Sequence, residues 1–563
     1  AAVSHSYSNA NAVVYSNSSN VGTTSSTFIY DGANLGLGVT PSTWSLGKAI
    51  EIGFAGSGIN GQGAGDTLMT AGAYYNGGWK YANATTKPTV LELYNGAFYF
   101  SSASSTGSAG SAATLTTYMT LTNGGQLQLT NDASINGLTV GKGANAVSTN
   151  TVLGVNALAS GSLSGGYNTA VGSSALQYNT SGQYNAAFGQ GAVGANTTGS
   201  SLSGFGQYAL QANSTGSFNS AFGNGALQSN TTASNNTAVG YQAGYSNTTG
   251  VENTYLGYLA GYAGTTATEV VYIGANSGQN ATGSYNVSIG SYSLRNATGA
   301  SNTATGYAAL ATNSSGASNT GIGYGALQNN TTASNNTAVG YQAGYSNTTG
   351  AQLTAIGVNA GRGNTTGTDS TFIGYSAGYS NTTGNYNTVL GKEALANNTT
   401  ASNNTAVGYQ AGYSNTTGAY NTFVGQTSGY GVTTGTQNTF VGAGSGAQIT
   451  TGNYNSILGF YNGNQGGLDI RTSSNYIVLS DGAGNPRQII DNSGNSWLGA
   501  VRGGTATSVN ALNNGGMGGV NGSGTSAIST GVGINQFNGG ACAILLASRN
   551  TGAGTNTDAA VYI

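Results

Sequence analysis

Charge is nearly missing from this chain. Only 4% of its 563 residues are charged, 11 basic against 13 acidic, for a net charge of −2. Nucleic acid and anionic membranes are held by clustered Lys and Arg, so neither partner is expected. Cysteine and histidine are just as scarce: Cys542 and His5 are single residues. An intrachain disulfide, a cysteine metal cluster and His-based catalysis therefore have nothing to build on. The longest apolar run, Ala541 to Ala547, is far short of the roughly 20 residues that span a bilayer as a helix. No membrane insertion is expected.

Carboxylates are too few and too scattered for a hydrolase. Within the central region only Glu252, Glu269, Asp369 and Glu393 are acidic. They supply neither the paired carboxylates of a glycosidase nor an Asp in every repeat, as calcium-binding repeats need. Lys392-Glu393 reads as an adjacent solvated pair. Gly321-Ile322-Gly323-Tyr324-Gly325 brushes a dinucleotide-binding pattern, but no helix follows it. The chain is read as a non-enzyme without cofactor or metal. It opens without Met and stops at Val561-Tyr562-Ile563, which reads like mid-strand, so a processed or incomplete chain is expected.

What the chain has in abundance is glycine, 97 residues, with 36 Tyr and 13 Phe. Disordered chains rich in Gly and Ser are poor in aromatics, so order is expected. One stretch, Asn235 to Gly250, recurs letter for letter from Asn335 and again from Asn403. Degenerate copies fill the gaps. Their glycines, among them Gly172, Gly189, Gly206, Gly240, Gly340, Gly408 and Gly459, form a ladder with steps of 17 residues, broken only by two steps of 16 from Gly274 to Gly290 to Gly306.

Slot by slot the ladder is informative. The residue before each glycine is Val, Ile, Leu or Phe (Val171, Phe188, Val239, Ile322, Val339, Leu458), Thr305 being the one exception. This slot is expected to be buried. Three residues after the glycine comes Ala or Ser, followed by Leu (Leu176, Leu227, Leu327, Leu395) or Gly (Gly244, Gly344, Gly412), a second and tighter contact point. Asn-Thr-Thr-Gly and its variants form a polar corner. Each unit thus offers two short extended pieces and two turns, too short and too rich in Gly and Asn for helices.

The expected fold is all-β: a parallel β-roll or β-solenoid of about 17-residue coils, each burying its apolar slot by stacking on its neighbours. At about 4.8 Å per coil the ladder implies a rod on the order of 80 Å. Asn168, Asn185, Asn219, Asn236, Asn253 and Asn286, at one slot, are expected to stack as an amide ladder. A coil this thin buries little by itself. Three chains sharing a core, as an intertwined or side-by-side homotrimeric fibre, would remedy that.

Four regions follow. Residues 1–145 form an N-terminal β-rich domain, with hairpins at Asn95-Gly96 and Asn123-Gly124; it is richer in charge than the repeat region, with Lys48, Glu51, Asp66, Lys80, Lys87 and Glu92 among its charged residues. Residues 146–463 are the repeat shaft. Residues 464–501 read as a β-hairpin cap, from Asn475 to Gly482 and Arg487 to Gly494. Residues 502–563 are a Gly/Asn/Ser-rich C-terminal segment.

Asn-Thr-Ala-Val-Gly with a following Ala-Gly, over about residues 150–463, resembles the head repeats of trimeric autotransporter adhesins, the YadA-like β-roll. The flanks resemble bacteriophage tail fibre proteins: Asn34-Leu35-Gly36-Leu37-Gly38-Val39-Thr40-Pro41, Met119-Thr120-Leu121-Thr122, and Ser480-Asp481-Gly482 with Asp491-Asn492-Ser493-Gly494-Asn495. The resemblance implies a trimeric fibre of a virion tail that contacts a host cell-surface glycan or outer-membrane component and joins other virion tail proteins. The alternative is a bacterial cell-surface adhesin or extracellular filament subunit. Tyr241, Tyr245, Tyr341, Tyr345, Tyr409 and Tyr413 are the candidate glycan contacts, because exposed rings stack on sugars; packing over neighbouring coils or between chains is the more ordinary role for such rings, tyrosine being a good strand residue.

Overall fold

The computed structural model describes residues 87–498 without a break, short segments between residues 12 and 85, and two more at 511–513 and 516–517. His5, Cys542, Val39 to Pro41 and most of the 502–563 segment lie outside the described residues. No α-helix occurs among the described residues. The chain divides into two compact units, residues 1–155 and 156–563.

In the first unit a mixed sheet carries the strands Asp66–Ala71, Thr89–Tyr94, Ala97–Ala103 and Leu115–Leu121, which pair antiparallel. The hairpin at Asn95-Gly96 forms as expected: Tyr94 faces Ala97, and both turn residues have positive φ, 49° and 78°. Leu68, Ala73 and Val90 make a small core with Trp79 and Leu115 against it.

The second unit is a parallel β-solenoid. Eighteen three-residue strands, from Thr169–Val171 to Ser456–Leu458, stack in register. Thr337, Ala338 and Val339 pair with Thr354, Ala355 and Ile356 one coil later. Backbone bonds join the coils outside the strand as well: Gly344 N–H donates to the Ala360 carbonyl, Ser346 N–H to Arg362 and Thr348 N–H to Thr365. Each coil therefore contains one strand, not two extended pieces. The remainder is a chain of turns whose polar backbone groups are satisfied by the next coil.

The ladder glycines mark the closest approach between coils. At Gly340 φ is 136°, and a Cβ there would lie 2.5 Å from the Gly357 carbonyl oxygen. Both conformation and space exclude a side chain. That is why the glycine survives in every coil while its neighbours vary.

The expected burial of the residue before the ladder glycine is corrected. In each strand the central residue points inward: Ala170, Ala238, Ala338, Phe372 and Phe440 are fully buried. The next residue points out, so Phe188, Phe222, Val239, Leu256, Ile322, Ile356, Leu390 and Leu458 are between 36% and 55% exposed, and Val339 is half-buried. Strand alternation permits only one of the two to face inward. The inward position takes residues from Gly and Ala to Phe and Tyr, so place in the strand rather than side-chain size sets the face.

Inside, volume is balanced across neighbouring coils. Where the central strand residues of a coil and of the coil after it are both small, the inward slot six residues on is filled by Leu or Val, as at Leu176, Val193 and Leu227, except at Gly344, whose space is bordered by Leu327 and Leu353. Where an aromatic ring occupies the strand, that slot is Gly both in its own coil and in the coil before. A Cβ on Gly244 would meet the Tyr255 ring, on Gly361 the Phe372 ring, and on Gly412 the Phe423 ring. The Leu-or-Gly choice in the sequence is thus a packing rule at close-packed density.

Two buried amide ladders run along the axis. In the first, as expected, the Asn168 side-chain oxygen accepts from Asn185 N–H at 3.0 Å, and Asn219 and Asn236 repeat the pattern at 2.9 Å. The second, at the corner, was not anticipated: Asn347 Nδ2 donates to Asn330 Oδ1 at 2.9 Å and to the Gly350 carbonyl at 2.8 Å, while Asn364 Nδ2 donates to Asn347 Oδ1 at 2.8 Å. It ends where its Asn is replaced, at Gly264, Ala281, Ala297 and Val432. The oxygens of Asn247 and Asn415, the last rungs before Gly264 and Val432, have no bonded partner. The two 16-residue steps fall within this gap, since the shortened corners at Ala281-Thr282-Gly283 and Ala297-Thr298-Gly299 lack the Asn. Asn347→Ala is expected to destabilise the solenoid by about 2–3 kcal/mol, because it orphans buried donors and acceptors on two coils. Chemical denaturation measures it, and a change below about 0.5 kcal/mol would mean the ladder contributes little.

Beyond the last coil, Ile477–Ser480 and Pro486–Ile490 pair as an antiparallel hairpin. Two similar Asp turns hold this region. Asp481 Oδ1 accepts from the N–H groups of Ala483 (3.0 Å) and Asn485 (2.9 Å); Asp491 Oδ1 does the same with Ser493 and Asn495. The Asn485 backbone bond leads in lowering the Asp481 pKa to about 2, with help from the Asn485 side chain and Arg487. A depressed carboxylate stabilises the fold above its unfolded pKa and loses that contribution as pH falls towards its folded one. The turn should loosen between about pH 4 and pH 2. Amide exchange at Ala483 and Asn485, extrapolated across that window, checks this; unchanged protection would refute it.

Candidate functional site

Two outward surfaces of the solenoid carry side chains able to meet a partner. The first is the strand face. Its apolar slot runs through every coil as Val, Ile, Leu or Phe, except at Thr305. Phe188, Phe205 and Phe222 stack at 4.7 and 4.8 Å between centroids. Beside this row lies a row of Thr, unbroken from Thr303 through Thr337 and Thr371 to Thr439. Contiguous exposed apolar surface of this extent is characteristic of protein contacts.

The second surface is built from tyrosines on the turn side of the coil. Tyr241, Tyr341 and Tyr409 occupy one row and are exposed; Tyr245, Tyr345 and Tyr413 occupy another and are half-buried. The structure places each row along the axis, with rings of adjacent coils over one another. Tyr241 stacks on Tyr258 at 5.5 Å, Tyr324 on Tyr341 at 5.3 Å, Tyr245 on Tyr262 at 5.2 Å and Tyr413 on Tyr430 at 5.2 Å. Cations take the place of rings at two points. Arg362 lies 5.5 and 5.6 Å from the Tyr345 and Tyr379 centroids, and Lys392 lies 5.7 Å from both Tyr375 and Tyr409. Lys392 also lies 3.8 Å from Glu393.

Stacking limits what these rings can do. A ring covered on both faces offers only its edge and hydroxyl, whereas the last ring of a stack keeps one face open. Sequence reasoning chose the tyrosines by their repetition. It missed Tyr258, Tyr262, Tyr324 and Tyr430, which lie in less regular copies but at the same spacing from a ladder glycine.

Among the described residues no group of three or more His, Cys, Asp or Glu could hold a metal ion. In the first unit an apolar hollow of about 380 Å³ opens between Met69, Val90, Leu91, Phe100 and Tyr118. Compared with protein-family models, curated proteins and solved structures, the chain matches none.

Proposed function

We propose that this protein is a structural and adhesive fibre subunit, a homotrimer that serves as a bacteriophage tail fibre and contacts the bacterial host surface. The observation that carries the reading is the outward apolar row on the strand face. A solenoid whose coils repeat at constant height presents this row to a second and third copy in register, and closed three-fold symmetry covers it on all three chains. Nine of the seventeen apolar side chains in the row are 36–55% exposed and the others half-buried, so the row offers on the order of 1,000 Å² per chain, enough for a stable specific interface.

The near absence of charge supports a role outside polyelectrolyte binding. A surface of amides, hydroxyls and tyrosine rings suits carbohydrate, and repetition along three chains would multiply weak contacts into useful avidity. The shaft supplies reach and stiffness.

Sedimentation equilibrium of the full chain tests the assembly. A trimer at micromolar concentration is expected, and a stable monomer would sink the shared-interface reading. For the tail fibre, antibody labelling of virions in electron micrographs should decorate the tail; labelling confined to a bacterial cell surface would favour a cellular adhesin instead.

A further inference from the structure

The 17-residue period fails at the end of the solenoid, and a groove of about 670 Å³ opens there, lined by Tyr430, Gln448, Thr450, Asp469 and Arg471 among others. Two local events create it. The first is the end of an aromatic stack. Tyr413 and Tyr430 lie parallel, 5° apart and 5.2 Å between centroids, but in the next coil the same slot is Ala447. No ring follows, so the far face of Tyr430 is left open towards the groove.

The second event is an insertion. Between Gly459 and Ser480 the coil takes 21 residues in place of 17, and the extra chain forms a small hairpin, Asn464–Gln465 paired with Leu468–Asp469. That hairpin delivers Asp469 and Arg471 to the groove. Arg471 Nε and Nη2 donate to the two carboxylate oxygens at 3.0 and 2.7 Å. Thr450 Oγ1 donates to the Arg471 carbonyl at 3.3 Å. The ion pair is half-exposed on both sides, and its side chains use only part of their bonding capacity. Arg471 Nη1 takes no part in the pair, and a carboxylate has lone pairs beyond those the arginine uses, so both half-exposed groups keep capacity for a ligand in the groove they line.

We propose that this groove is a subsite for a neutral pyranose. The open face of Tyr430 would take the C–H face of the ring, and Asp469 and Arg471 would accept from and donate to a vicinal pair of hydroxyls. The mutual neutralisation of the ion pair selects against an acidic sugar or a phosphate, which would favour an uncompensated cation. Charge is so sparse in the solenoid that a hydrogen-bonded ion pair beside an uncovered aromatic face stands apart from the surrounding surface of amides and hydroxyls. In chain order the groove wall is half a coil from the strand, so association through the strand face leaves it open. This site rests on the carbohydrate-contacting part of the proposed function and narrows it to one place.

An array of neutral and sialylated oligosaccharides probed with the full-length chain, followed by calorimetric titration of the strongest neutral ligand, provides the test. Tyr430→Ala and Arg471→Gln are each expected to weaken that binding by about tenfold or more, while Tyr430→Phe retains it. Arg471→Gln lies on an exposed hairpin, so its melting curve should match that of the parent chain. Arg295→Gln, at an exposed arginine of a distant coil, should change affinity by less than twofold. If glycans bind but Tyr430→Ala and Arg471→Gln leave the affinity unchanged, the groove is wrong and the adhesive reading stands. If no glycan on the array is bound, both fail. A preference for sialylated over neutral ligands would overturn the neutral assignment.

Discussion

Ala338→Asp should disrupt the solenoid, whereas Val339→Asp, one residue later, should leave each chain folded and abolish its assembly. Ala338 is fully buried in the coil interior, between strands whose partners are Gly321 and Ala355. A carboxylate there has neither water nor a cation. It would be forced to take up a proton or open the coil, at a cost of several kcal/mol. In a stacked array the damage spreads to both neighbouring interfaces, because each coil is stable only against the next. Limited proteolysis should then cut near residue 338, and the melting transition should fall by tens of degrees or split in two.

Val339→Asp places the same charge on the outer face. For a single chain that is a surface change, expected within about 0.5 kcal/mol. In the proposed trimer three aspartates would converge at one height with no counter-ion, and the like charges would separate the chains. Circular dichroism should be preserved while the sedimentation coefficient falls to that of a monomer. If Val339→Asp unfolds the chain and Ala338→Asp does not, the assignment of the two strand faces is reversed. If Val339→Asp folds and remains trimeric, the apolar row is not the interface.

This pair of positions also shows how far the sequence could be read. The period, the single-residue glycine contact and the first Asn ladder were legible, because each depends on residues repeating at constant spacing. The inward and outward faces of the strand were not. In Thr337-Ala338-Val339 hydrophobicity favours Val as the core residue, and only the place of each residue within the strand decides for Ala. That place is set by how all 17 residues of the coil close on themselves. The choice of Leu or Gly, as at Leu395 and Gly412, was visible as a pattern, but its cause was not, since the ring that excludes a side chain at Gly412 belongs to Phe423 in the following coil. The tyrosine rows were legible by spacing alone. The groove was not, because Asp469 and Arg471 lie in the 21-residue stretch beyond the last ladder glycine, where the period no longer guides the reading.

Phe372 offers the sharpest measure of the packing rule. Its ring fills the space that Gly361 and Gly378 leave empty: a Cβ on Gly361 would fall 2.7 Å from ring atom Cδ2, and one on Gly378 would also strike the ring. Phe372→Ala should therefore cost about 3–5 kcal/mol, as expected for a ring removed from a tightly packed interior. Gly378→Leu alone should also destabilise, by about 1–3 kcal/mol or more, because the leucine has nowhere to go. Together they reproduce the arrangement of Ala170 with Leu176 and of Ala304 with Leu310, in which the leucine adopts the same left-handed conformation, φ 50° and 52° against 58° at Gly378. Backbone geometry at this slot thus already accepts leucine. The double variant should recover much of the lost stability, with a coupling on the order of 2–3 kcal/mol in a double-mutant cycle measured by chemical denaturation. Simple additivity would show that ring and glycine are independent, and that the alternation of Leu and Gly along the solenoid has a cause other than shared volume.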